Sequence, residues 1–426
     1  MTGDKSEREV VAPSTISNDA RVVFIGAGQS AGRCAEALRK LGFTGPITLV
    51  GEERHSPYER PALSKELLDG SADQSSLALH SDYWYAEHNI GLLLNTRALS
   101  VDRTTSHILL SDGEKLSYDR LVFATGARPR ILPSLPIGAR DVFYLRNIED
   151  SLNLRSKLTE GSRVVVVGGG LIGLEIASMA RTAMCSVTVI ELDANLMART
   201  VDAEFGNAVA HLHRSHGVNI LTSSSVTQIE ELPSSTLLTL ANGDAIEADV
   251  VVVGIGVQPN IELATAAGLD TNNGLVVDCR GMTHDPSIFG VGDCANFFHP
   301  HFGRHIRLEC WKHAQNHAIA VAGSILGNAQ DYSDQPYAWS FQHGVQFQFV
   351  GIPEVGDQVY WRGDAARGKA MLCYVRHGVL VAANSINMAK ELRIAQKMIE
   401  QRTTVDPSLL VDTSVALMAC SLINVH

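Results

Sequence analysis

Two short glycine-rich segments carry the residue types that can surround a phosphate group. They read Gly26-x-Gly28-x-x-Ala31 and Gly168-x-Gly170-x-x-Gly173. Glycines at this spacing permit a tight turn and a close approach by a pyrophosphate, and the N-terminus of a following helix stabilises its negative charge. Each segment therefore predicts a dinucleotide site. The alternative for each is a glycine-rich turn that only packs a helix against a strand.

An acidic residue follows each glycine segment, Glu52 in the first case and Glu191 in the second. A carboxylate at this place accepts hydrogen bonds from a ribose 2′-hydroxyl and repels a 2′-phosphate. The next basic residue after Glu191 is Arg199, so the second site favours NADH over NADPH. The alternative for Glu191 is an ordinary exposed carboxylate at the end of a strand.

A third segment, Thr283 to Asp293, helps to decide which nucleotide each site takes. It predicts an apolar strand that ends in Gly292-Asp293 and leads towards a helix. Asp293 can then contact a ribityl hydroxyl, and a helix N-terminus can lie near the N1/O2 edge of a flavin, where the reduced ring gathers negative charge. Two dinucleotide sites in one chain suggest a bound redox cofactor and an exchangeable one, because hydride transfer requires the donor to meet the acceptor.

The elements that must position these residues form the same pattern twice. The pattern of strand, helix and strand covers Val22 to Ile25, Ala31 to Leu41 and Ile47 to Val50, and then Val164 to Val167, Leu171 to Thr182 and Val187 to Ile190. The turns at Asp112-Gly113 and Asn242-Gly243 lie 130 positions apart, as do Asp119 and Asp249, Gly126 and Gly256, and Pro129 and Pro259. This equal register predicts an internal duplication, against the alternative that such turns are simply frequent.

After about Asp331 the glycine motifs stop and short aromatic runs follow. These runs predict an antiparallel sheet, and Lys390 to Gln401 predicts a helix. We therefore expect a third, C-terminal domain.

Composition narrows the class of protein further. A chain of 426 residues with a net charge of −11 and no basic stripe predicts two to four domains and no nucleic-acid partner. Seven scattered cysteines fit a reducing cytosol. The apolar run from Val164 ends at Glu175, so we expect no membrane helix. His211, His213 and His216 could approach a metal, but Gly217 makes a helix end the simpler interpretation, and we expect no metal.

Several motifs together resemble the FAD-dependent ferredoxin reductases that serve Rieske oxygenases and bacterial cytochromes P450. The matching segments are Pro57 to Lys65, Thr125 to Pro129, Gly168 to Glu175, Gly256 to Asn260, Gly292-Asp293 and Arg307 to Trp311. They occur in the family's order over about residues 20 to 415.

The resemblance implies an α/β fold with two Rossmann-like, three-layer ββα nucleotide-binding domains of the glutathione-reductase type and a C-terminal α+β domain with an antiparallel sheet. Residues 1–19 would form a flexible tail, 20–128 and 256–330 a discontinuous FAD-binding domain, 129–255 an NADH-binding domain, and 331–426 the C-terminal domain.

The resemblance also implies roles for individual residues. The residues implied to hold FAD are Gly26, Gly28, Ala31, Glu52, Arg60, Lys65, Thr125, Arg128, Asp293 and Trp311. Those implied to hold NADH are Gly168, Gly170, Gly173, Glu175, Glu191 and Gly256. Lys65 and Glu175 would position the flavin and the nicotinamide and could pair with each other; without the family match, each is as well explained as an exposed charge on a helix.

The implied activity is that of an NADH:ferredoxin oxidoreductase. NADH would give a hydride to FAD, and single electrons would pass to a [2Fe-2S] ferredoxin and on to a terminal oxygenase, either a Rieske non-haem iron enzyme or a cytochrome P450. A cytoplasmic monomer or homodimer is expected.

Two other functions remain open from the residues. A flavin-dependent NADH oxidase, or a peroxide or disulfide reductase of the same superfamily, needs a reactive thiol beside the flavin, and Cys34, Cys294 and Cys310 are poor candidates for it. An NADH-responsive regulatory flavoprotein would use NADH only as a conformational ligand.

The sequence departs from the family at Phe341, where an acid is usual, and at Ala62, where a second proline is usual. The charge of −11 would repel an acidic ferredoxin, so Arg304, Arg307 and Lys312 are expected to dominate locally.

Overall fold

The computed structural model describes residues 16–422, so most of the predicted tail at 1–19 lies outside the described residues. The α-helices are α1 Gln29–Lys40, α2 Glu66–Asp69, α3 Asp82–Glu87, α4 Ile148–Arg155, α5 Leu171–Thr182, α6 Ala203–Ser215, α7 Glu262–Ala266, α8 Trp311–Ile325, α9 Ala389–Glu400 and α10 Pro407–Val411. Short 3-10 helices cover Arg60–Ser64, Gln74–Leu77, Gly292–Cys294, Ala365–Arg367 and Leu417–Cys420.

The first half of the strands are β1 Val22–Ile25, β2 Ile47–Val50, β3 Ile90–Leu93, β4 Ala98–Asp102, β5 His107–Leu110, β6 Lys115–Ser117, β7 Arg120–Phe123, β8 Ala127–Pro129, β9 Val142–Phe143, β10 Arg163–Val167, β11 Ser186–Ile190, β12 Val218–Leu221 and β13 Val226–Glu231. The others are β14 Thr236–Leu240, β15 Ala245–Ala248, β16 Val250–Val253, β17 Val257–Pro259, β18 Leu275–Val277, β19 Ile288–Gly290, β20 Ala295–His299, β21 Arg304–Ile306, β22 Tyr337–Gln342, β23 Val345–Gly351, β24 Gln358–Asp364, β25 Lys369–Arg376 and β26 Val379–Ile386.

The chain divides into two compact units. The first comprises residues up to Glu59, Ala78–Ala127 and Pro259–Asp334. The second comprises Arg60–Leu77, Arg128–Gln258 and the residues from Gln335 onwards.

The first unit is built on a parallel sheet in the order β19-β7-β1-β2-β3. Because successive side chains of a strand point to opposite faces, Val22 and Phe24 of β1 pack with helices α1 and α8. Val23 and Ile25 pack on the other face with Ile108 of the antiparallel meander β4-β5-β6. This arrangement is the expected three-layer ββα sandwich.

The second unit repeats the arrangement with the parallel sheet β12-β11-β10-β16-β9. Val164 and Val166 of β10 pack with α5 and α6. Val165 and Val167 pack with Leu238 of the meander β13-β14-β15. The D-G and N-G turns join β5 to β6 and β14 to β15, as the equal register predicted.

The C-terminal part of the second unit is an antiparallel sheet in the order β22-β23-β26-β25-β24. One face, with Phe347 and Leu372, shares a core with helices α5 and α6. The other face, with Met371 and Leu380, packs against helix α9. The expected α/β fold with a C-terminal antiparallel sheet is therefore confirmed. Within residues 16–422, no helix is both long enough and apolar enough to span a membrane.

Candidate functional site

The first glycine turn connects β1 to α1 in the first unit. Gly26 has a φ of +110°, and a methyl group there would lie 2.2 Å from the carbonyl oxygen of Ala124, so only glycine fits. Gly28 is the N-cap of α1, where no side chain caps the helix and the first turn holds no acidic residue. Ala31 is fully buried. The N–H groups of the first helical turn are thus left for an anion.

The second glycine turn has the same geometry in the second unit. Gly168 has a φ of +111°, and a methyl group there would lie 2.5 Å from the carbonyl oxygen of Gly254. A methyl group on Gly173 would lie 2.2 Å from the carbonyl oxygen of Gly168. A methyl group at Gly170 would meet no atom of the described part of the chain within 4 Å. That open space, before an uncapped helix without acidic residues in its first turn, fits a pyrophosphate.

The two acidic residues differ in how they are held. Glu191 is half-buried, and its carboxylate accepts hydrogen bonds from the backbone N–H groups of Gly169 at 2.6 Å and Asp193 at 2.8 Å. Glu52 has a side chain that is 67% exposed and pairs with Arg97 at 3.2 Å. Glu191 is therefore fixed against its glycine turn, whereas Glu52 is held only by a surface ion pair.

Further predicted FAD residues of the first unit gather near the N-terminus of α1. Gly292, with a φ of +70°, lies against the side chain of Ser30 of α1. The side-chain amide of Gln29 donates a hydrogen bond to the carbonyl oxygen of Trp311 at 3.2 Å, where α8 begins without acidic residues in its first turn. Asp293 and Trp311 thus lie beside helix termini that favour negative charge.

The segment around Asp293 differs from the expectation in one respect. The apolar strand β19 ends at Gly290, and Gly292–Cys294 forms a 3-10 helix that leads into strand β20 rather than towards a helix. Helix α8 follows only after the hairpin β20-β21. The reason is that the residues after Cys294 include the adjacent aromatic residues Phe297 and Phe298, which favour a strand.

Two predicted FAD residues lie where the chain leaves the first unit and enters the second. The Thr125 hydroxyl donates to the carbonyl oxygen of Asn260 at 2.7 Å, and the Asn260 amide donates to that of Thr125 at 2.9 Å. Arg128 donates to the side-chain oxygen of Gln258 at 3.0 Å, in the amide orientation that satisfies both groups. Strands β8 and β17 pair here as a two-stranded sheet.

Gly256 and Arg199 lie together in the second unit. Gly256 has a φ of +95°, and a methyl group there would lie 2.6 Å from the Nη1 atom of Arg199. The basic residue nearest in sequence to Glu191 on its C-terminal side is therefore placed against the Gly256 backbone.

Lys65 and Glu175 form a buried ion pair in the second unit. The Nζ atom of Lys65 lies 3.0 Å from Oε2 of Glu175, and the two side chains are 11% and 5% exposed. Neither is the exposed helical charge of the alternative interpretation. Arg60, in the same unit, donates to the carbonyl oxygen of Arg146 at 2.6 Å. The contacts of Arg60 and Lys65 with FAD stay predictions.

Two serines complete the surroundings of the Glu175 carboxylate. Ser64 donates to Oε2, and Ser340 of β22 donates to Oε1 at 2.7 Å. A buried carboxylate is stable only when it is paired and hydrogen-bonded, and these three donors satisfy both oxygens. Sequence analysis missed this role of the serines, because Ser340 is separated from Glu175 by 165 positions and no local pattern joins them.

The unusual residue Phe341 lies on the other face of the same strand. Its side chain is 42% exposed, whereas Ser340 and Gln342 are fully buried. Trp339 shares the outward face and is half-buried. The change from an acid to Phe341 therefore does not reach the buried carboxylate.

Cys34 and Cys294 do not supply a reactive thiol near the first glycine turn. Every cysteine in the described range is free. Burial raises the pKa of the Cys34 and Cys294 thiols, which disfavours the nucleophilic thiolate. Cys310 is half-buried at the N-cap of α8. Between residues 16 and 422 no group of three or more His, Cys, Asp or Glu side chains could hold a metal.

One expectation about charge is wrong. The side chain of Arg307 is only 5% exposed and pairs with Glu309 at 2.6 Å, so it is not a surface cation. In the sequence, Arg307 looked like an exposed residue, and its ion pair with Glu309 could not be predicted.

Comparison with known proteins supports the chemistry of this arrangement. Residues 20–318 match the family described as pyridine nucleotide-disulphide oxidoreductase, and residues 337–421 match the reductase C-terminal family. The chain is 38% identical over 397 residues to the ferredoxin–NAD(+) reductase component of the anthranilate 1,2-dioxygenase system of Burkholderia cepacia, covering 93% of this chain and 98% of that one.

Two further relatives have related names. The corresponding component of the p-cumate 2,3-dioxygenase system of Pseudomonas putida is 38% identical over 414 residues, covering 94% and 98% of the two chains. The solved covalent complex of putidaredoxin reductase with putidaredoxin matches with a TM-score of 0.90 and 36% identity, covering 94% of this chain and 97% of that one.

Proposed function

The chain belongs to the pyridine nucleotide-disulphide oxidoreductase family, and from this premise we propose that it is the ferredoxin–NAD(+) reductase of an oxygenase system. The two relatives from dioxygenase systems have that name, and each matches this chain over 98% of its own length. The main observation behind the proposal is that each unit has a glycine turn followed by an uncapped helix N-terminus, at Gly28 in the first unit and at Gly170 in the second. The turn at Gly28 suits FAD, and the turn at Gly170 suits NADH.

FAD supplies the chemistry that accepts a two-electron hydride and releases single electrons. The residues of this chain bind and orient the reactants. The uncapped N-termini of α1 and α5 hold the two pyrophosphates. Glu191, already fixed by two backbone N–H groups, accepts hydrogen bonds from the adenosine ribose and excludes a 2′-phosphate.

The assignment of individual residues is part of the proposal. We assign FAD binding to Gly26, Gly28, Ala31, Glu52, Arg60, Lys65, Thr125, Arg128, Asp293 and Trp311, and NADH binding to Gly168, Gly170, Gly173, Glu175, Glu191 and Gly256. We also propose that residues 20–128 with 256–330 are the FAD-binding domain, residues 129–255 the NADH-binding domain and residues 331–426 the C-terminal domain.

The proposed partner is a [2Fe-2S] ferredoxin that reduces a terminal oxygenase. The putidaredoxin complex supports a protein partner of this kind. Because the Arg307 side chain is only 5% exposed, the local attraction for an acidic ferredoxin is assigned to the exposed Arg304 and the partly exposed Lys312. We propose a cytoplasmic location, which the free thiols of the described cysteines support.

Anaerobic stopped-flow mixing tests this function. NADH is expected to bleach the flavin rapidly and in preference to NADPH, and added [2Fe-2S] ferredoxin is expected to restore its absorbance. A protein that remains colourless after incubation with FAD would contradict the proposal. So would a long-lived charge-transfer complex without electron transfer to ferredoxin, which would indicate a regulatory flavoprotein.

A cysteine series separates this function from a disulfide or peroxide reductase. Single Cys-to-Ser replacements are expected to leave ferredoxin reduction within about twofold, because burial keeps most of these thiols protonated. The replaced residues are Cys34, Cys294 and Cys310. Loss of activity in any one of these variants, with its flavin content unchanged, would favour the thiol-dependent alternative.

A further inference from the structure

A chain of buried hydrogen bonds in the second unit leads to Glu175. Ser340 donates to Oε1 of Glu175 at 2.7 Å, and the amide of Gln342 donates to the Ser340 hydroxyl at 3.0 Å. The Nε2 atom of His213 lies 2.9 Å from the amide oxygen of Gln342. The Nε2 atom of His343 lies 3.2 Å from Nδ1 of His213. The chain thus joins α5, the C-terminal sheet and α6.

The direction of every hydrogen bond follows from the groups at its ends. An amide oxygen only accepts, so His213 must carry its proton on Nε2. Its Nδ1 atom then accepts, and His343 donates from Nε2. Every member therefore donates towards the Glu175 carboxylate, and hydrogen bonds aligned in this way polarise one another.

The chain is buried from Ser340 to His213, ends at the half-buried His343, and is constant in charge near neutral pH. Ser340, Gln342 and His213 are each fully buried. Burial lowers the pKa of His213 to about 4, and burial with the neighbouring His213 lowers that of His343 to about 3. Both imidazoles are accordingly neutral at pH 7, and the tautomer of His213 does not change.

We propose that Ser340, with Gln342 and His213 behind it, is a positioning residue that fixes the rotation of the Glu175 carboxylate for the nicotinamide. Lys65 and Ser64 hold only Oε2. An ammonium group is a point charge and does not by itself orient a carboxylate plane. The hydrogen bond from Ser340 to Oε1 supplies the second fixed point. The inference rests on the proposed function, in which Glu175 lies beside the nicotinamide.

The test measures the two half-reactions of the holoenzyme separately. Ser340→Ala is expected to lower the limiting rate of flavin reduction by NADH about tenfold, because small misplacements of a positioned group slow the chemical step. Reoxidation of the dithionite-reduced protein by ferricyanide is expected to stay within about twofold. Ser385→Ala is the matched control, because Ser385 has a buried hydroxyl in the same sheet that finds no hydrogen-bond partner among residues 16–422.

A double-mutant cycle shows whether Ser340 acts through Glu175. In a Glu175→Gln background, Ser340→Ala is expected to change the reduction rate by less than about twofold. The full tenfold loss in that background would overturn the proposal. Gln342→Met, which breaks the chain one step further away, is expected to slow reduction by about threefold and provides the test if Ser340→Ala does not fold.

The tautomer of His213 gives a readout that needs no turnover. Nitrogen-15 NMR of the histidine rings is expected to show His213 protonated on Nε2, with its signals identified by their absence from His213→Asn. Protonation on Nδ1 would overturn the proposal, because the chain would then run away from Glu175. Failure of the wild type to reduce ferredoxin would contradict only the proposed function, since none of these measurements uses ferredoxin.

Discussion

Separating the buried ion pair of Lys65 and Glu175 should destabilise the protein more than removing it altogether. The Nζ and Oε2 atoms lie 3.0 Å apart, and the two side chains are 11% and 5% exposed. Removing one partner of a buried pair leaves an uncompensated charge, which costs about 3–5 kcal/mol. Two serine donors remain on the carboxylate, so we expect the lower end, about 3 kcal/mol, for Lys65→Met.

The reverse change leaves the ammonium group without its carboxylate, so Glu175→Gln is also expected to cost about 3 kcal/mol. The double variant carries neither charge, and its cost should be below the value of about 3 kcal/mol expected for either single variant. The difference from the additive value of about 6 kcal/mol is the coupling between the two residues.

Guanidinium chloride denaturation, followed by tryptophan fluorescence, measures these free energies as midpoint shifts at a common m-value. The matched control is the pair of Arg163 and Asp249, whose side chains are 41% and 34% exposed. Its cycle is expected to give a coupling below about 1 kcal/mol. A double variant of Lys65 and Glu175 that loses about 6 kcal/mol would refute the reasoning.

Three further predictions concern the glycine turns, the ribose carboxylate and the half-buried imidazole of His343. Gly168→Ala should lower the thermal midpoint, because its methyl group would lie 2.5 Å from a carbonyl oxygen; Gly170→Ala should leave the midpoint unchanged but raise the KM for NADH about tenfold, by occupying space meant for the pyrophosphate. Glu191→Gln should raise the kcat/KM for NADPH relative to NADH about tenfold or more, since the charge that repels a 2′-phosphate is removed. The thermal midpoint should fall as the pH is lowered from about 6.5 to about 5. In this range the histidines of the unfolded chain bind protons, whereas a histidine with a lowered pKa in the native chain stays neutral. Since burial lowers the pKa of His343 to about 3, His343→Gln should reduce this fall, and an unchanged pH profile would contradict the assignment.

Much of the fold could be predicted because its signals are local. Strand β1 has the predicted bounds, and α1 begins at Gln29, two residues before the predicted start. β-branched runs that end in glycines define such elements within a few residues. The duplication was also visible, because equal spacing of the turns survives where sequence identity does not.

The buried polar part of the site could not be predicted in the same way. Composition and periodicity alone allowed Lys65 to be an exposed lysine at the start of a helix, and only the family resemblance implied its pairing with Glu175, 110 positions away. The hydrogen bond of Ser340 depends on how the C-terminal sheet packs against α5. Such contacts are set by tertiary packing, and neither the composition nor the periodicity of one segment contains them.

The two faces of strand β22 differ in which substitutions they tolerate. Its odd-numbered residues Trp339 and Phe341 face outwards, and its even-numbered residues Ser340 and Gln342 face the buried carboxylate. A substitution on the outer face leaves the hydrogen bonds to the carboxylate in place, whereas a substitution of Ser340 or Gln342 breaks them. A one-residue insertion or deletion within this strand would exchange the two faces. The length of this strand is thus as important to the buried carboxylate as the identity of its inner residues.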